Sequence, residues 1–231
     1  MTARRRSAAL AAIVAMVPVI ACVPRLTPLT GTPVPADRLP RTEMTPGHHQ
    51  LVFNWSLEDG DISARGDGVA RIATPDSARL DFFLAGGFGG GAAILIGDSV
   101  ETPPLVGGDL ARHLIPPAPL LWAVLGRTAL PNLPDTVIRV EGEAQGGGRA
   151  EDPSTLRADV GRPVAWRVTF HGDTLKRAER VDGARVIEWV ERLDPLHVRY
   201  RNESKRRSLD LTVTRTTDVP EFDASIWHFP R

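Results

Sequence analysis

Leu80-Asp-Phe-Phe-Leu-Ala-Gly-Gly-Phe-Gly-Gly-Gly-Ala-Ala-Ile-Leu-Ile-Gly97 reads as two apolar strands joined by a glycine-rich turn. The turn lifts one large residue, Phe88, toward solvent. Gly87 to Ala92 formally matches the dinucleotide pattern G-x-G-x-x-A. That pattern needs a helix N-terminus behind its last small residue to receive a pyrophosphate. Here Ala93 to Ile96 is a strand closed by Gly97-Asp98, so the glycines permit a turn and do not cradle phosphate.

Outward from this hairpin the dominant period is two. Leu51, Phe53, Trp55 and Leu57 alternate with Val52, Asn54, Ser56 and Glu58, which is a half-buried strand. Glu58 to Asp61 makes a turn whose acidic cluster lacks the spacing of a calcium loop. The strand from Ile62 to Ala73 contains Gly66 and Gly68, read as a bulge or a sharp bend. Further strands are expected at Ala92 to Ile96, Val100 to Thr102, Thr136 to Glu143, Leu156 to Val160 and Val164 to His171. Leu175 to Val181 and Arg185 to Arg192 form a hairpin turning through Asp182-Gly183, and Leu196 to Arg201 and Leu209 to Thr214 follow. The fold class is therefore mainly β: about eleven antiparallel strands, too many for a small open sheet unless it curls into a barrel or splits into a sandwich.

The period breaks between Pro103 and Pro134. Asp109 caps a short helix over Leu110 to Leu114, and Pro119 opens a second, Leu120-Leu-Trp-Ala-Val-Leu125, ended by Gly126. The second has almost no polar face and is too short to be stable alone, so it belongs inside the curve of the sheet as a lid.

At the N-terminus, Arg4 to Arg6 precede an apolar run from Ser7 to Ile20 and then Val19-Ile20-Ala21-Cys22. This is a signal segment, too short to span a membrane. Its end resembles the lipobox of bacterial lipoprotein precursors, which implies cleavage after residue 21 and acylation of Cys22, the only cysteine. Val23, not aspartate, then favours the outer membrane by the same resemblance. Residues 22–47, with Pro24, Pro28, Pro33, Pro35, Pro40 and Pro46, read as an extended tether, and residues 48–231 as a single domain.

Charge and chemistry narrow the function. The chain carries 28 basic and 28 acidic side chains, so no net field recruits nucleic acid. No G-x-S-x-G elbow is present, the six histidines are scattered, and Glu141 and Glu143 beside Arg139 read as solvated strand carboxylates. No catalytic residue, cofactor or metal ligand set is expected. Lys205-Arg206-Arg207 with Arg199 and Arg201 is a basic patch that could face lipid headgroups or an acidic partner, or simply discourage strand pairing.

The lipobox, the proline tether, the antiparallel sheet and the leucine-rich helical insert together resemble the LolA/LolB-like lipoprotein-carrier superfamily, nearest its outer-membrane receptor. Leu84 to Ile94 resembles that receptor's strand, turn and strand, with Gly87 where proline is expected; Ala118 to Gly126 resembles its helix and Trp166 to Phe170 its late aromatic strand. The resemblance implies a half-open barrel with the short helices as an internal lid, and a non-catalytic protein on the periplasmic face of the outer membrane, holding acyl chains of lipoproteins or lipids and receiving them from a periplasmic carrier. Phe53, Trp55, Leu80, Phe82, Leu84, Leu121, Trp122, Leu125 and Trp166 would line the cavity, and Phe88 would be the membrane-insertion residue. The alternative is a structural or interaction lipoprotein of the same fold whose interior is filled by its own side chains.

Overall fold

The structure, a computed structural model, describes residues 24–40, 42, 44–87, 89–103, 115–130, 137–141 and 155–229. Cys22, Phe88, Glu143 and the expected helix over Leu110 to Leu114 lie outside them. The strands are β1 (Thr32–Val34), β2 (His48–Asp59), β3 (Ile62–Ala73), β4 (Ser77–Leu84), β5 (Gly90–Ile96), β6 (Ser99–Glu101), β7 (Val137–Glu141), β8 (Thr155–Val160), β9 (Trp166–His171), β10 (Thr174–Asp182), β11 (Arg185–Arg192), β12 (His197–Asn202) and β13 (Arg207–Asp218). Among the described residues one α-helix, α1 (Ala118–Val124), lies between β6 and β7.

All thirteen strands belong to one antiparallel sheet in the order β1-β7-β8-β9-β10-β11-β12-β13-β2-β3-β4-β5-β6. Two meanders, β2 to β6 and β7 to β13, meet where β13 pairs with β2. The connection carrying α1 therefore crosses from one flank of the sheet to the other. Helix α1 lies over the concave face, because it packs on β10, β11 and β12 while the Trp122 indole N–H donates to the Gly97 carbonyl in the β5–β6 turn at 2.8 Å. Only a strongly curved sheet brings β5 and β10–β12 to one helix.

Alternation decides what enters that curve. Phe53, Trp55 and Leu57 of β2, Leu80 and Phe82 of β4, Val168 and Phe170 of β9, and Leu209 and Leu211 of β13 join α1 in one continuous apolar cluster. The intervening residues face the convex side, where Arg71 and Arg79 hold Asp81 and a bidentate pair joins Arg167 to Asp159 at 2.6 and 2.8 Å. The chain end returns over this side: the carbonyl of Ile226 accepts from Arg79, whose guanidinium also lies over Phe229.

Three expectations change. Gly66 and Gly68 mark no bulge, since β3 pairs in unbroken register with β2 and β4. They allow close approach instead: a Cβ on Gly68 would lie 2.3 Å from the Phe53 ring, and one on Gly66 would lie 1.8 Å from the Phe83 carbonyl oxygen. The β10–β11 turn is Gly183-Ala184, one residue beyond Asp182-Gly183, with Gly183 at φ +59°. Finally, residues 24–34, though mostly exposed, are tied to the sheet by hydrogen bonds. The Pro24 and Ala184 carbonyls accept from the N–H groups of Val186 and Leu26, Arg167 donates to the Thr27 carbonyl, Arg139 donates to the Gly31 carbonyl, and Thr32–Val34 becomes the edge strand β1 against β7. Proline is tolerated there because an edge strand leaves one row of backbone groups unpaired.

Candidate functional site

Helix α1 is the obvious floor or lid of any site. Ala118 and Leu120 to Val124 are buried, so the helix presents apolar side chains all round, as its sequence requires. Its C-terminus is closed by two backbone bonds, Gly126 N–H to Ala123 O and Arg127 N–H to Trp122 O, with Gly126 at φ +89°. This is the glycine-terminated cap that satisfies carbonyls the helix would otherwise orphan. Arg192 of β11 adds a bond to the Val124 carbonyl at 3.1 Å.

Beside this helix end lies a pocket of about 390 Å³. Leu51, Ile72, Val124, Leu125, Leu196 and Val213 supply its apolar wall, and Met44, His49 and Arg192 stand at it as well. It opens at the end of the half-barrel formed by the start of β2 and the β11–β12 turn. A second depression of about 360 Å³ lies across β13, β2 and β3, among Asn54, Ser56, Arg65, Asp67, Asp210 and Thr212, on the side of the sheet away from the core cluster and α1.

His49 braces the pocket wall. Its Nδ1 lies 2.7 Å from Asp218 Oδ1 and its Nε2 lies 2.7 Å from the Thr45 carbonyl oxygen. Both ring nitrogens meet acceptors, so the protonated ring is favoured: its pKa is raised by the bond to Thr45 and then by the bond to Asp218.

The opposite end of the concave face is closed by charge. Register aligns Trp166, Arg180, Glu188, Asn202, Arg207, Asp59 and Ile62 in one row across β9, β10, β11, β12, β13, β2 and β3. Within it Glu188 accepts from Arg180 and Asn202, each at 2.7 Å, and Arg207 pairs with Asp59 at 2.7 Å. Tyr200, buried one step inside the row, has its phenol pushed up to about 12 by burial and then by the Glu188 charge.

The nine expected cavity residues come together, but mostly as solid core. Phe53, Trp55, Leu80, Phe82, Leu121 and Trp122 are at most 3% exposed, while Leu84, Leu125 and Trp166 pack on the same cluster from its margin. Phe53 and Trp55 both meet Phe82 edge to face. Of the nine, Leu125 alone lines the pocket beside the helix. Its other walls were not singled out from the sequence, because Leu51, Ile72, Leu196 and Val213 come from four strands or turns that only the register gathers. In the basic patch, Arg199 pairs with Asp210, Arg201 with Glu203 and Arg207 with Asp59, leaving Lys205 and Arg206 exposed in the turn. Among the described residues no group of three His, Cys, Asp or Glu side chains could hold a metal ion.

No family model and no curated protein matches the chain. Solved structures similar to it include a LolA superfamily protein from Nitrosomonas europaea, at 9% identity and TM-score 0.48, covering 81% of this chain and 93% of that one. A DUF1329 family protein from Desulfovibrio piger is similar at 10% identity and TM-score 0.40, with 80% and 90% covered. A proposed outer membrane lipoprotein-sorting protein domain from Vibrio parahaemolyticus is similar at 10% identity and TM-score 0.37, with 80% and 91% covered.

Proposed function

We propose that the protein is a non-catalytic, membrane-anchored binder of acyl chains, held at the outer membrane through Cys22 and acting as a receptor or carrier for lipoproteins or lipids. The observation that carries this reading is the apolar pocket of about 390 Å³ between the end of α1 and the sheet. That volume lies at the lower end of the roughly 300–1,000 Å³ of small-molecule sites. The apolar wall with a polar rim suits a chain whose tail is buried and whose head stays in water.

Leu125→Trp, which fills the pocket from a residue already at the margin of the core, should weaken binding of a fluorescent fatty acid at least tenfold while leaving the unfolding midpoint nearly unchanged. A wild-type protein that neither binds the probe nor carries lipid in native mass spectrometry would sink the proposal. A second reading, a structural lipoprotein with a self-filled interior, is favoured by the near-complete burial of Phe53, Trp55, Phe82 and Trp122, and that negative result would select it.

A further inference from the structure

The expected tether is not free, and this bears on how an anchored protein would stand on its membrane. Pro24 is fixed at the β10–β11 turn by the bond from Val186 N–H to its carbonyl, and Leu26 N–H donates to Ala184 O at 2.8 Å. Cys22 lies two positions before Pro24, and an extended residue spans at most about 3.6 Å, so chain length alone keeps the anchor point within roughly 7 Å of Pro24. The β10–β11 turn belongs to the end of the half-barrel closed by the charged row, which also carries the β2–β3, β8–β9 and β12–β13 turns.

The two ends differ in charge. At the anchored end Arg25, Arg162, Arg185, Lys205 and Arg206 are exposed, opposed in the same turns by exposed Asp61 and Asp182 and by half-buried Glu203, which pairs with Arg201. At the far end the four turns 74–76, 97–98, 172–173 and 193–196 contain Asp76, Asp98, Asp173 and Asp194 and no lysine or arginine. In a chain with no net charge, the described turns at the two ends thus differ in sign. Near an anionic surface each cation is attracted within a Debye length, and each carboxylate is repelled.

From the docked N-terminal segment and this polarity we infer that the basic turns rest on anionic phospholipid headgroups, and that the acidic end, with the pocket beside Leu125, faces away from the bilayer. The inference rests on acylation of Cys22. It makes the mouth accessible from the aqueous side, not from the membrane that holds the protein.

The test uses the full chain, processed and acylated in bacteria and reconstituted in phosphatidylethanolamine–phosphatidylglycerol vesicles. With Cys22 blocked by its acyl group, Ala184→Cys and Asp173→Cys each offer one thiol for a fluorescent donor, at opposite ends of β10. Nine residues at about 3.3 Å each separate the two labels by roughly 30 Å. Energy transfer to a headgroup-linked acceptor should be at least twofold more efficient from position 184 than from 173, and the contrast should shrink in Lys205→Glu/Arg206→Glu. Equal transfer, or more from 173, overturns the orientation, and a contrast unchanged in the double variant overturns the role of the headgroups. A chain that washes off membranes in carbonate refutes the anchor itself, a failure distinct from that of an anchored but unoriented one.

Discussion

Trp122→Phe probes a side chain that clasps the two flanks of the sheet. The indole is 1% exposed, donates to the Gly97 carbonyl at 2.8 Å and lies under the Arg127 guanidinium, 4.5 Å from the ring centroid. Phenylalanine keeps the buried ring but loses the donor, worth about 0.5–1.5 kcal/mol net, and Gly97, only half-buried in its turn, regains water in place of the bond. The space left by the smaller ring adds about 1 kcal/mol of lost contacts, and the weaker cation–π contact adds less. The total is roughly 2 kcal/mol, against about 3–5 kcal/mol for Trp122→Ala. Urea unfolding followed by far-ultraviolet circular dichroism should show the midpoint falling by about 1 M, given slopes of about 1–3 kcal/mol per molar. Amide exchange in the β5–β6 turn should quicken in the same variant. A loss below about 0.5 kcal/mol with unchanged exchange would refute the clasp, since no buried donor could have been removed at so little cost.

Two further outcomes follow from the charged groups. Tyr200 is the only tyrosine, so absorbance at the phenolate band reports it alone: titration should lie near 12, and Glu188→Gln should bring it toward the ordinary value near 10. Because the folded pKa is raised, this phenol supports the fold below pH 10 and loses that support as pH climbs toward 12, so alkaline unfolding should coincide with its titration. His49 also has a raised pKa, so its contribution is complete below about pH 6.5 and fades as pH rises through the folded value. The difference in melting temperature between wild type and His49→Gln should accordingly shrink from pH 5.5 to pH 8.5, and a constant difference would show that the Thr45 and Asp218 contacts do not depend on the charge.

Much of this architecture is legible in single stretches of sequence. Strict alternation in Leu51 to Leu57 and the all-apolar Leu120 to Leu125 each have one burial solution, and both appear as expected. What escapes such reading depends on partners. Thr32-Pro33-Val34 has no strand signal of its own and becomes β1 because Ile138, Arg139 and Val140 offer it an edge. Arg180, Glu188 and Asn202 look like surface residues on separate strands, yet register stacks them on the concave side, and the irregular pairing at Arg180/Val181 hides the alternation that would have shown it. Gly66 and Gly68 resemble a bulge until the Phe53 ring and the Phe83 carbonyl are known to occupy the space a side chain would need.

The same rows limit how deep a ligand can go. On β2, Leu51 stands at the pocket and Asp59 in the charged row, eight residues or roughly 26 Å apart at strand rise. Between them Phe53, Trp55 and Leu57 are 3%, 3% and 0% exposed, so the interval is filled and not hollow. If the pocket takes acyl chains as proposed, a short one would fill the mouth beside Leu125. A longer one must either displace the Phe53, Trp55 and Phe82 rings, which meet edge to face and sit against the bare backbone of Gly68, or leave its remaining methylenes in water. Each methylene that enters contributes about 0.8 kcal/mol, close to fourfold in affinity. Across straight-chain acids from octanoate to palmitate, affinity should therefore climb at about fourfold per methylene and then level once the mouth is full. A rise that continues undiminished to palmitate would mean that the aromatic plug yields and that the interior is a true cavity, and a flat series from the start would mean that the pocket takes no chain at all.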